Sequence, residues 1–173
     1  MRTRVFLAIS FLLFSSSCIF GPSRSNGIKY ARHGKIYISH NSFYTVGTLD
    51  DTWKPFETRE RVVAYYNKHL DTTLYTDAFC STSFDDLNHQ QLITQKIEGL
   101  EDIVVISERT FSLDNRLAAS RTVNARIDGV AVTIENVVVK KNVCLFDFVL
   151  ISTPASFKEA QSSFQSFYEG FHF

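Results

Sequence analysis

Residues 103–152 read IVVISERTFSLDNRLAASRTVNARIDGVAVTIENVVVKKNVCLFDFVLIS, and the fold turns on how this stretch divides. It is dense in Val, Ile, Thr and Phe, side chains that pack well on a pleated surface. Three pairs interrupt it: Asp114-Asn115, Asp128-Gly129 and Lys141-Asn142. Asp, Asn and Gly tolerate the positive φ that two-residue hairpin loops demand, so these pairs read as turns, Asp128-Gly129 most clearly. The stretch therefore predicts an antiparallel meander of four strands at 103–113, 117–127, 130–140 and 143–152.

The turns also set register. A two-residue loop at Asp128-Gly129 puts Ile127 opposite Val130, Ala125 opposite Val132, Val123 opposite Ile134 and Arg121 opposite Asn136, all on one face. If Lys141-Asn142 is likewise a two-residue loop, Asn136 also faces Asp147, whose same-face neighbours Leu145 and Val149 are apolar. Arg121, Asn136 and Asp147 then make one polar row on an otherwise apolar face. Such a row must be mutually satisfied, because an unpaired buried charge costs several kcal/mol. It reads either as an ion-pair layer that fixes register or as the floor of a ligand cleft.

Downstream, Thr153 caps a final helix with Pro154 in its first turn, where the missing N–H is harmless. Phe157, Ala160, Phe164, Phe167, Tyr168 and Phe171 fall within roughly a 100° arc of that helix. The opposite face lacks the Lys and Arg that an anionic membrane surface would favour, so the aromatic stripe is expected to pack on the sheet. Upstream, 35–46, 62–67 and 74–80 read as strands. Residues 50–55 form a connecting turn that carries the lone Trp53 against the core, and 68–71 form a hairpin turn. Ser83 opens a helix over 83–98, with Asp85 and Asp86 in its first turn at the positive end of the dipole. The fold class is α+β, an antiparallel sheet with packed helices.

The first seventeen residues concern address. Arg2 and Arg4 precede an apolar run over 5–14, and Ser15-Ser16-Ser17 leads into Cys18. This is the order of an export leader, and about ten apolar residues are too few to span a bilayer as a helix. The segment resembles bacterial lipoprotein signal peptides, with Ser15 where that family usually has Leu. The resemblance implies a signal peptide over 1–17 and a mature N-terminus at a diacylated Cys18. It also implies attachment to a membrane through that lipid and, since Ile19 rather than Asp follows the Cys, the outer membrane rather than the inner. Secretory cleavage after Ser17 without lipid is the alternative. Residues 18–34, with Gly21, Pro22, Ser23, Ser25, Asn26, Gly27 and Gly34, read as the lipidated end and a flexible tether. A single domain then occupies 35–173.

Composition limits what this domain does. Hydrophobic residues make up 45% and aromatics 14% of the chain, enough for a compact core. Without the leader's two arginines, sixteen basic side chains stand against eighteen acidic ones, a net charge of −2. Nucleic-acid binding, which needs a clustered basic surface, is not expected. His33, His40, His69, His89 and His172 have no metal-ligand spacing, and no nucleophile elbow or phosphate-binding loop occurs, so neither a metal, a cofactor nor a catalytic residue is expected. Once Cys18 is acylated, Cys80 and Cys144 remain. In an oxidising compartment they read as a disulfide, or else as two buried free thiols.

The span 36–171 resembles the PsbP-like fold, known from a photosystem II extrinsic subunit, a Ran-binding nuclear-transport factor and bacterial lipoproteins of the DcrB type. The residues that suggest it are Phe43-Tyr44, then Leu49-Asp50-Asp51-Thr52-Trp53-Lys54, the helix from Ser83, the long meander and the Phe-rich terminal helix. The resemblance implies an α/β/α sandwich and a habit of binding partners, and it supplies no catalytic motif. The expected role is a non-enzymatic envelope lipoprotein that binds a protein partner or helps maintain the envelope. A carrier of a small apolar ligand held under the Phe stripe is the alternative, and a hydrolase the second.

Overall fold

The structure, a computed structural model, describes residues 29–30, 34–39, 41–58, 62–81 and 88–173. Seven antiparallel strands form the main sheet: β4 (Trp53–Phe56), β5 (Val63–Asn67), β6 (Thr72–Cys80), β7 (Glu101–Leu113), β8 (Arg116–Ile127), β9 (Val130–Lys141) and β10 (Cys144–Ser152). Their spatial order is β4-β5-β6-β10-β9-β8-β7. The four-stranded meander is present, and Asp114, Asn115, Asp128 and Gly129 take the positive φ their turns require. Helix α1 (His89–Ile97) lies between β6 and β7 in the chain. Since β10 pairs with β6, the connection through α1 must cross four inter-strand spacings, roughly 19 Å, to start β7 at the far edge.

That crossing places α1 on one face, while helix α2 (Phe157–Glu169) packs on β10 and β6 from the other. Alternation along the strands builds both faces. On the α2 side Leu74, Val137, Val139, Phe146, Phe148 and Leu150 meet Ala160, Phe164, Phe167, Tyr168 and Phe171. Rings fill the contact, with centroids 4.8 Å apart for Phe146–Phe171, 5.6 Å for Phe148–Phe171 and 6.3 Å for Phe148–Phe167. These are edge and tilted geometries that aromatic pairs prefer. A small sheet of β1 (Lys29–Tyr30), β2 (Lys35–Tyr37) and β3 (Phe43–Thr45) closes the same side, and its fully buried Tyr44 hydrogen-bonds Thr76 at 3.1 Å. Behind β3 the chain crosses the end of α2 so closely that a Cβ on Gly47 would stand 2.0 Å from the Ser166 carbonyl oxygen, and one on Gly170 would stand 2.2 Å from the Gly47 nitrogen.

Several local expectations are corrected. The single strand over 35–46 is a hairpin, because Ile38 and Ser39 both donate to the Ser42 carbonyl and turn the chain back. Lys29–Tyr30 pairs with β2, so pairing begins inside the 18–34 stretch read as a tether. The 50–55 turn ends early: the Asp50 carboxylate accepts from the Thr52 N–H, and Trp53 already begins β4, with its side chain buried in the core as expected. Pro55 can lie in β4 because β4 is an edge strand. The regular part of α2 starts at Phe157, with Thr153 holding the preceding turn through Ser156. Helix α1 is capped by Asn88, whose side chain accepts from the Gln91 N–H while Gln91 reaches back to the Asn88 N–H. The expected start at Ser83, with Asp85 and Asp86, lies outside the described residues, as do the signal peptide 1–17 and Cys18.

Phe167 sits at the centre of the aromatic layer with no exposed surface. Phe167→Ala is expected to lower the unfolding free energy by about 3 to 5 kcal/mol, read from urea denaturation midpoints at unchanged slope.

Candidate functional site

The polar row exists, in a shifted form. Arg121 is opposite Asn136 as its hairpin dictates. Asn136, however, is opposite Val149, and Asp147 is opposite Val138. The cause is the last turn, which is made by Asn142 and Val143, with Lys141 paired to Cys144. Asn142 takes φ 56°, a conformation that Lys141 in the same place would adopt only at a cost. A shift of two residues preserves the face, so Asp147 stays on the row, diagonal to Asn136. Its direct neighbour is Asp77 on β6, a member that sequence reasoning missed because β6 and β10 are far apart in the chain.

Helix α1 closes over this row. Arg121 does not reach Asp147. It donates to Thr94 Oγ1 and Gln90 Oε1 on α1, at 2.9 Å each, and pairs with Glu108 on β7. Asp147 pairs with Lys96, also on α1. The row separates two apolar contacts of the same helix: Leu92 and Ile93 with Ala119, Val138 and Leu145 on one side, and Ile97 with Val123, Ala125, Ile134 and Val149 on the other. Satisfaction is incomplete, since Asn136 Oδ1 and Asp147 Oδ1 are buried without a hydrogen-bond partner among the described residues. Burial drives the Asp147 carboxyl above the ordinary range; Lys96 opposes this, and Asp77 adds to it. These contacts fix a helix to a sheet.

A second polar cluster, on the α2 side, was not foreseen. Buried Glu135 accepts from Arg109 at 3.3 Å and from Gln161 at 3.0 Å, and Arg109 donates to the Tyr168 hydroxyl at 2.7 Å. It ties α2 to the outermost strand through residues 26 and 59 positions apart, so no local pattern could have shown it. At one end of the β6–β10 ladder, Cys80 and Cys144 are directly opposite and form a disulfide. Among the described residues, no group of three or more His, Cys, Asp or Glu is placed to hold a metal ion. Nor is any described helix long and apolar enough to cross a membrane.

The surface feature that stands apart is the rim of the sheet at β7. Ile103, Val104, Val105 and Ile106 are 40, 58, 50 and 55% exposed, and no described strand pairs with the outer side of β7. Four consecutive apolar side chains, three of them around half exposed or more, form a run that isolated surface hydrophobics do not explain. The ladder to β8 slips at both ends of the run, between Glu101 and Val104 and between Val105 and Ser107, as bulged edge strands do. The sequence carried a signal for it: 103–106 lacks the apolar–polar alternation of a strand with one wet face.

No protein-family model matches the sequence, and no curated protein matches it. Solved structures do. A solution structure of the cyanobacterial PsbP protein CyanoP from Synechocystis sp. PCC 6803 is 13% identical, covers 75% of this chain and 85% of its own, and superposes with a TM-score of 0.56. A crystal structure of LpqN from Mycobacterium tuberculosis, a protein involved in cell envelope biogenesis, is 10% identical, covers 79% and 87%, and gives 0.55. The chain has the PsbP-like fold, an antiparallel sheet between helices.

Two measurements follow from this geometry. A carboxyl raised on folding stabilises the protein below its unfolded-state value, and that contribution is lost as pH rises through the folded-state value. The stability of the native chain relative to Asp147→Asn is therefore expected to fall as pH rises from the acid range toward neutrality, measured by urea unfolding at a series of pH values. For the disulfide, whose cysteines are 64 positions apart, the Cys80→Ser, Cys144→Ser double variant is expected to lose about 4 kcal/mol by the same assay.

Proposed function

We propose that this chain is a non-enzymatic binding module of the bacterial cell envelope. It is anchored through an acylated Cys18 at the outer membrane, and it takes a protein partner along the β7 rim. One observation carries the reading: the exposed 103–106 run on an edge strand whose outer side is paired by no described strand. An extended segment added there gains main-chain hydrogen bonds and buries apolar side chains at once. The described similarity to LpqN, an envelope-biogenesis protein, agrees with the compartment that the leader suggests. Several polar side chains that could have served chemistry instead hold helices, as with Arg121 and Asp147 to α1 and Glu135 to α2.

The carrier alternative has less support. It calls for an apolar cavity beneath the Phe stripe, and that region is occupied by rings in contact, with Phe164–Tyr168 at 5.2 Å and Phe111–Tyr168 at 5.7 Å. A photo-crosslinking side chain placed at Val104 of the full chain in intact cells should give one defined protein adduct, identified by mass spectrometry. The same group at Gln165, on the exposed side of α2, should not. Identical adduct patterns from both positions, or none from Val104, would count against the reading.

A further inference from the structure

We infer that the partner of β7 is β7 of a second copy of this chain, paired antiparallel about a two-fold axis through Val105. This rests on the reading of β7 as the docking edge. It is carried by a property of the strand's own sequence, Glu101-Asp102-Ile103-Val104-Val105-Ile106-Ser107-Glu108-Arg109. When an edge pairs with itself about an axis normal to the sheet, opposite residues share a face and lie equally far from the central residue. Centred on Val105, the run meets itself: Val105 faces Val105, and because the ladder to β8 carries one extra residue on each side of it, Val104 and Ser107, opposite Asn124 and Thr122, stand equally far from the axis with Ile106 beside them. Farther out, Glu101 faces Arg109 at both ends of the pairing, acid against base, a second carboxylate for a half-exposed guanidinium that also holds Glu135 and Tyr168. Glu101 and Arg109 lie on one face of the sheet, since they are opposite Arg126 and Ser120 of β8, an even number of residues apart.

Neighbouring registers lose this match. Centred on Ser107, Val105 meets Glu108 and Val104 meets Arg109. Centred on Val104, Val105 meets the Asp102-Ile103 pair and Glu101 meets Ser107. The Val105 register does bring Asp102 toward Glu108, but each carboxylate already has an arginine of its own chain, Asp102 with Arg126 at 3.2 Å and Glu108 with Arg121. The pairing would join two seven-stranded sheets with α1 on the same side in both copies. It would bury side chains that are around half exposed in the single chain.

The test places a thiol on the axis. In the full chain, Val105→Cys should form a disulfide with its counterpart under mild oxidation, because facing Cβ atoms on paired strands are about 5 Å apart. Thr110→Cys, on the same edge and four β8 positions from Val105, would lie roughly 27 Å from its counterpart in this register and should stay monomeric. Adding Val104→Lys to the Val105→Cys chain should cut dimer yield roughly tenfold or more. An unchanged melting temperature would show that the fold persists. Equal dimer yields from positions 105 and 110, or none from 105, overturn the inference. If 105 gives no dimer while the crosslinker at Val104 captures a single different envelope protein, the second copy is excluded and the docking edge stands. If neither position captures anything, both readings fall.

Discussion

The ladder between β6 and β10, running from Cys80 opposite Cys144 to Thr73 opposite Ile151, joins two otherwise separate antiparallel units. One unit is β4 to β6 and the other β7 to β10, and no other pair of strands in the main sheet bridges them. Everything else adapts to this union. Loop closure makes such a non-local pairing slow to find, and the disulfide at one end of the ladder holds it once found. The pairing puts α1 across one face and sends β7 to the rim. It also brings Phe146 and Phe148 under α2.

The two helices are fastened by different means. Helix α2 presents a continuous aromatic surface, and its polar ties through Glu135 and Arg109 lie at the margin. Helix α1 is only nine residues long and has two small apolar contacts divided by a charged row. For a helix that short, Arg121 and Lys96 supply orientation that apolar contact alone would leave loose. The arrangement retains an internal tension, since Asp147 is held beside Asp77 with one of its oxygens unpartnered among the described residues.

Much of this was legible in the sequence wherever local chemistry decides the outcome. Asp128-Gly129 gave the register of β8 and β9 residue by residue, and the Phe stripe gave the buried face of α2. The final turn failed because Lys141-Asn142 and Asn142-Val143 are both possible loops, and only the backbone preference of Asn142 separates them. The cap of α1 was present as Asn88 three residues before Gln91, but Ser83 followed by two aspartates offered a competing start. Asp77, Glu135 and the rim position of β7 depend on which distant strands become neighbours. No period or turn signal reports that.

The opposite rim of the sheet sets a limit on growth. Strand β4 contains Pro55, a residue with no hydrogen to contribute to a ladder. A sheet with two receptive rims can recruit chain after chain and lengthen into a fibre. With one receptive rim and one that proline interrupts, edge-to-edge addition ends when the first rim is used.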